Sequence, residues 1–147
     1  MNFFLGRNLE QKGFYKNCDS DKKEIIFNEL KTDFKKEVIL VEGPFDMIKA
    51  GHNAVPLLGS SITEDYALFL EILKNKTPVI LALDNDMKMR SQYIANLFYL
   101  YDIQVKILPL GKFKDVGEMD KKDFLEAKNK AKVWEKDDKL LFKIRSI

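Results

Sequence analysis

The run Thr77-Pro-Val-Ile-Leu-Ala-Leu83 is apolar at consecutive positions rather than at alternate ones. A strand of that kind is buried on both faces, which calls for a parallel sheet with helices above and below it. Three further short aliphatic runs fall at 37–41, 54–58 and 103–108. Helical signals separate them. Pro44 suits the first position of a helix carrying Phe45, Met47 and Ile48, which ends near Gly51, a natural left-handed cap. Ser61 and Glu64 have capping-box spacing ahead of Tyr66, Phe69, Leu70 and Leu73, the stripe of an amphipathic helix. A third helix is predicted over about 88–101, with Ile94, Leu97, Phe98 and Tyr101 on one face, and a fourth near 121–132. The β-α-β-α-β-α-β order predicts an α/β fold: a Rossmann-like, about four-stranded parallel sheet with helices on both faces.

The 147 residues are 46% apolar with only four prolines, enough to close one core and incompatible with disordered or low-complexity classes. The chain divides into a small α+β segment over 1–36, a main domain over 37–132 and a helical tail over 133–147. In the first segment, Gly6, Gly13 and the Asn17-Cys18-Asp19-Ser20-Asp21 cluster predict turns between short strands, followed by a helical stretch around 24–35. Residues 138–147 are predicted to form a short helix. No stretch reaches the roughly 20 apolar residues that span a bilayer, and the N-terminus lacks a secretory pattern, so the expected setting is cytoplasmic, without membrane contact.

One cysteine, Cys18, and one histidine, His52, cannot build a zinc module or an internal disulfide. Any metal would be held by oxygen, which means Mg²⁺, Mn²⁺ or Ca²⁺. The net charge of +2 is unevenly spread: residues 37–110 carry six basic and nine acidic side chains, and both flanks are basic. That pattern fits a metal-dependent enzyme acting on a polyanion, or the commoner case of lysines that simply solubilise the ends.

Ligands of open parallel sheets sit outside the carboxyl ends of the strands. Glu42 follows the first run, Asp84 and Asp86 follow the third, and Asp115 lies in the loop beyond the fourth. Asp46, four residues past Glu42, is one helical turn further on and can face the same space. Each has an ordinary reading when taken singly: Asp84 or Asp86 as a helix cap, Asp46 as a surface residue, Asp115 as a turn residue. Together, acids at three strand ends on one edge point to a divalent-metal site. His52, after a helix-ending glycine, reads as a surface residue.

At these positions a family resemblance emerges. Val38-Ile-Leu-Val-Glu42-Gly43-Pro44-Phe45-Asp46, followed by Leu81-Ala-Leu-Asp84-Asn-Asp86, resembles the Toprim domain shared by bacterial-type primases, topoisomerases and some nucleases, over about residues 37–130. The Leu57-Leu-Gly59-Ser60 segment, Lys114-Asp115, and the upstream Phe4-Leu-Gly6-Arg7 and Tyr15-Lys-Asn17 are most similar to the primase branch, as in a fragment of a phage-type DNA primase. The resemblance implies a Toprim-like fold in which Glu42 is the acid-base or metal-positioning residue and Asp84 and Asp86 hold Mg²⁺ or Mn²⁺. Asp46 and Asp115 complete the metal-binding cluster, and Arg7 and Lys22 contact template or nucleotide phosphates. Where the family often has an alanine-glycine pair after Asp-x-Asp, this chain has Met87-Lys-Met-Arg90. Lys88 and Arg90 there either contact phosphate or cover a solvated helix face. Gly117 stands where the family usually has a further acid.

The implied activity is that of a nucleotidyltransferase making short RNA primers on single-stranded DNA from ribonucleoside triphosphates during replication. Its implied setting is the cytoplasm, the host's for a phage protein, and its implied partner a replicative helicase. Two alternatives use the same residues differently: a Toprim-type metal-dependent nuclease, and a non-catalytic nucleic-acid-binding module.

Overall fold

The computed structural model describes residues 21–59 and 61–135, together with the backbone of 5–7 and 15–17. The strands β1 (Leu5–Arg7) and β2 (Tyr15–Asn17) pair antiparallel, with Gly6 opposite Lys16. The helical stretch predicted around 24–35 is replaced by two single 3-10 turns, Lys22–Glu24 and Glu29–Lys31. Asn28 breaks it: its φ of +68° is left-handed, and its side-chain amide donates to the carbonyl of Ala54 at 3.0 Å. Tertiary hydrogen bonding outweighs local helix propensity here.

The chain then alternates as expected through β3 (Val38–Val41), α1 (Pro44–Ala50), β4 (Ala54–Pro56), α2 (Ala67–Asn75), β5 (Val79–Ala82), α3 (Lys88–Leu100), β6 (Val105–Ile107) and α4 (Lys121–Asn129). A further strand, β7 (Lys132–Val133), ends the described part of the sheet. The spatial order is β4-β3-β5-β6-β7, with every pairing parallel except that of β7, which runs antiparallel to β6. The fold is therefore a mostly parallel α/β sheet of five strands rather than about four. The helix predicted over 138–147 lies outside the described residues.

Both faces of the sheet are covered, as the consecutive apolar runs require. Val38, Leu40, Val79 and Leu81 pack with Phe69 and Ile72 of α2 and Ile94 and Phe98 of α3. Ile39, Val41, Ile80 and Ala82 pack on the opposite face with Phe124 and Ala127 of α4, joined by Met47 and Ala50 of α1. Alternate side chains of one strand thus feed two separate cores.

Three local expectations fail. The Ser61–Glu64 capping box does not form; α2 begins at Ala67, and Tyr66 caps it without a side-chain bond. Asp65 is instead held by Thr63 and by Lys23 at 2.7 Å, which fixes a turn where the first helical residues were expected. Leu70 is 54% exposed, because the buried side of α2 is set by Leu68, Phe69 and Ile72. Strand β4 stops at Pro56 rather than Leu58, since Leu58 (φ +54°) and Gly59 (φ +138°) leave the extended region. Gly51, with φ +101°, does end α1.

Asn53 joins the N-terminal segment to the sheet. Its carboxamide accepts from the Asp33 amide at 2.7 Å and donates to the carbonyls of Asp33 (3.2 Å) and Glu37 (2.8 Å). Asn53→Ala leaves three partly buried backbone groups without their partner and is expected to cost about 2 kcal/mol, read as a lower urea midpoint at unchanged slope. An Asn53→Ala midpoint matching the parent's would show that solvent replaces these bonds without loss.

Candidate active site

From β3 the chain steps outward to β4, then returns past β3 to β5 and continues to β6. The direction of winding reverses between β3 and β5. In open α/β sheets the crevice outside the strand ends at such a reversal is the natural ligand position. Glu42 directly follows β3, and Asp84 lies two residues past β5, so the first two acids flank that crevice.

Their electrostatics show that the five acids share one neighbourhood. The Glu42 carboxyl is pushed above its ordinary value, first by burial and then by the negative charges of Asp86, Asp46 and Asp115, with Lys114 opposing. Burial, followed by Glu42, Asp46, Asp115 and Asp86, raises Asp84 from 3.8 to about 6. Glu42 Oε2 is buried with no hydrogen-bond partner. Buried polar atoms are normally satisfied, so an orphaned carboxylate oxygen beside other acids marks a place for a cation or a proton.

Asp46 plays a different part. Its Oδ2 accepts from the Gly43 amide at 3.2 Å, and its Oδ1 accepts from the Gly117 amide at 3.0 Å. One carboxylate thereby straps the loop before α1 to the loop before α4. A Cβ at residue 117 would lie 3.1 Å from Asp115 Oδ1 and 3.2 Å from Asp46 Oδ1, tighter than ordinary contact. The lack of a side chain at Gly117 allows the two loops to approach this closely. Asp115 accepts from the Glu118 amide at 3.0 Å and so fulfils its ordinary turn role while remaining beside the other acids. Asp84 makes no side-chain cap, and the residue capping α3 is Met87.

Asn85 is a site residue that the sequence did not single out, and Lys114, named there only within a family motif, joins it. The Asn85 amide donates to the Lys114 carbonyl at 2.8 Å, and its side chain donates to the carbonyls of Gly111 and Phe113, each at 3.3 Å. These bonds clip the loop that carries Lys114 and Asp115 to the loop that carries Asp84 and Asp86. Only the placing of Asn85 between two acids hinted at this.

The cationic candidates are spread more widely. Lys22 lies with its Nζ 5.8 Å from the Tyr66 ring centre and close beside Gly59, at the exit of β4, next to β3 on the same sheet edge. Lys88 and Arg90 are exposed on the first turn of α3. Arg7 belongs to β1, and its side chain lies outside the described residues. His52 is exposed, as expected.

Among the described residues, no group of three or more His, Cys, Asp or Glu side chains stands arranged to hold a metal ion. The donors nevertheless suit one. Glu42, Asp84 and Asp86 offer oxygen alone, the choice of hard divalent cations. The orphaned Glu42 oxygen and the two raised carboxyls are features that a cation would relieve. Among the described residues, no helix is long and apolar enough to cross a membrane.

The sequence matches no protein-family model and no curated protein. The fold, however, is similar to a solved structure, the primase of Aquifex aeolicus comprising its zinc-binding and RNA polymerase domains. The two share 21% identity and a TM-score of 0.72, and the match covers 90% of this chain. It covers 37% of the Aquifex chain, so the likeness extends over little more than a third of that chain.

Proposed function

We propose that this chain is the Toprim-type catalytic portion of a DNA primase, joining ribonucleotides on a single-stranded DNA template. The observation that carries this reading is the pair Glu42 and Asp84, two carboxyls raised by burial and by the neighbouring acids at the winding reversal of the sheet. The fold shared with the bacterial primase supports it. Glu42, Asp84 and Asp86 would hold Mg²⁺ or Mn²⁺, their side chains drawing together on it, with Asp115 at the margin. When bound, such a cation lowers the pKa of an attacking hydroxyl and neutralises charge on phosphate oxygens.

The chain's own residues supply the rest. Glu42, whose affinity for protons is raised by burial, would accept the proton of a primer 3′ hydroxyl. Asp46 and Asn85 act as positioning residues, fixing the loops that bear the acids. Lys22, Lys88 and Arg90, with Arg7 from β1, are the basic groups that would meet template or nucleotide phosphates without reading bases.

The test is a primer-synthesis gel: single-stranded DNA, the four ribonucleotides and Mg²⁺ or Mn²⁺, with Asp84→Asn as control. New metal-dependent RNA products that vanish in the control are expected. Shortening of labelled DNA or RNA, again lost in the control, would instead establish a nuclease. Salt-sensitive DNA binding with no turnover, unchanged by the substitution, would leave a binding module.

A further inference from the structure

Helix α3 is apolar on two opposite sides. Ile94, Ala95 and Phe98 line one side and are buried in the core beneath it. The other side carries Met89, Tyr93, Asn96 and Leu100, spaced by four, three and four residues. That spacing holds all four in one narrow stripe, turned away from the sheet. Met89 is 52%, Tyr93 48% and Leu100 56% exposed. The outward face of a surface helix is normally polar, so three large apolar side chains in line there mark a surface that water disfavours.

Four-three-four is also the spacing of the inner positions in a two-stranded coiled coil. This stripe matches itself when reversed. In two α3 helices laid side by side in opposite directions, Met89 of each faces Leu100 of the other, and Tyr93 of each faces Asn96. Apolar layers then close both ends, and two polar layers lie between them, of the kind that fixes register in helix pairs. The polar groups are available. Asn96 Oδ1 is buried within the chain, which leaves Nδ2 as the outward donor. Neither that donor nor the Tyr93 hydroxyl has a hydrogen-bond partner among the described residues.

Charge favours the same direction. The first turn of α3 holds Lys88 and Arg90, the helix contains no acid, and Asp102 lies just past its end. Lys76 takes the Tyr101 carbonyl at 3.1 Å and leaves the exposed Asp102 carboxylate open. Reversed helices bring each basic first turn towards the Asp102 of the other, whereas parallel helices set Arg90 beside Arg90.

We infer that α3 is an interface at which two copies of this chain pair antiparallel about a two-fold axis. The inference goes beyond the catalytic reading and does not rest on it. A 13-residue helix is about 20 Å long, so contact confined to α3 is at the small end of specific interfaces, and the dimer is expected to dissociate at roughly 10–100 μM. Because α3 starts directly after the turn bearing Asp84 and Asp86, the two acidic crevices would lie at opposite ends of the joined helices.

Sedimentation equilibrium of the full chain, at concentrations on both sides of that range and without metal or nucleic acid, is the test. A monomer–dimer equilibrium is expected. Met89→Lys with Leu100→Lys sets like charges face to face twice and should weaken it at least about tenfold, equivalent to about 1.4 kcal/mol. Met89→Lys with Leu100→Glu sets opposite charges face to face and should regain most of the affinity. In a parallel pair each of these residues faces its own copy, so the two double variants would be equally weak. Both positions are exposed, and the melting temperatures of dilute, monomeric samples should match the parent's. Leu125→Lys, an exposed apolar position on α4, should leave the dimer unchanged.

A chain monomeric throughout would overturn the inference, as would a dimer indifferent to Met89 and Leu100. Equal weakening by the two double variants would overturn the antiparallel arrangement. A monomer that melts lower in Met89→Lys with Leu100→Lys would also overturn it, in favour of a stripe covered by another part of the same chain.

Discussion

Asp84→Asn is expected to abolish metal-dependent nucleotidyl transfer and, in the same protein, to raise stability above pH 6. The two effects share one cause. In the folded chain Asp84 ionises only near pH 6, against 3.8 for an ordinary aspartate, so its charge is disfavoured where it sits. Between those values the unfolded chain has released its proton while the folded chain still holds it. Stability therefore falls as pH rises through this window and stays lowered above it. A rise of that size corresponds to about 3 kcal/mol before screening, and to roughly half that for a partly exposed group.

Asparagine keeps the shape and cannot ionise, so the penalty disappears. The expected gain at pH 8 is about 1–2 kcal/mol, or a few degrees in Tm. At pH 4 the two proteins should melt together. Activity should fall by about a thousandfold or more, because a charge that on the proposed reading would help hold the cation is gone. Thermal melts at both pH values and the primer gel decide the matter. A variant less stable than the parent at pH 8 would mean that Asp84 is a structural residue, and the catalytic assignment would fail with it.

Phe98→Ala is expected to cost about 4 kcal/mol, the largest stability effect of any single truncation considered. Phe98 is fully buried, and its ring stacks on that of Phe69 with centroids 5.0 Å apart and planes 25° apart. Phe69, also fully buried, receives the Tyr101 ring edge-on at 5.3 Å as well. The alanine would leave a void between α2 and α3 and remove the stacking, which itself contributes about 1 kcal/mol. For a chain of marginal stability that is a large share of the total. The check is a urea titration, with Phe98→Leu as the milder control losing about 1–1.5 kcal/mol. A difference below about 1 kcal/mol for Phe98→Ala would show that the helices close over the gap. Because α3 starts directly after the Asp84–Met87 turn, a shifted α3 should also lower activity.

Most of the sheet and half of the candidate site were legible because burial on both faces leaves an unmistakable signal. Val38–Val41 and Val79–Ala82 read as strands from their unbroken apolar runs, and the acid after each run stands out against them. What stayed hidden depends on contacts distant in sequence. Asn28 ends a helix through a bond to Ala54, 26 residues away. Gly117 reads as a missing acid in sequence, and only its amide bond to Asp46, 71 residues earlier, explains why a side chain is unwelcome there. Strand β7 has two exposed residues, Lys132 and Val133, and no periodicity to detect; the pairing with β6 alone makes it a strand. Leu70 failed for a subtler reason, since the periodic stripe fits more than one rotation of α2 and the core selected the one through Leu68 and Phe69.

The borders of the sheet bear on how the protein behaves in crowded solution. An open sheet offers unpaired backbone groups along its outermost strands, a template on which other chains can assemble. Here β4 is one border, three residues long and ending in Pro56, which has no amide hydrogen to offer. At the other end of the described sheet, β7 is two residues long and carries Lys132, whose charge disfavours a stacked copy. The strands that would template best, β3 and β5, lie inside with neighbours on both sides. Pairing of another chain along these two borders of the described sheet is thus disfavoured by their shortness, by Pro56 and by the charge of Lys132.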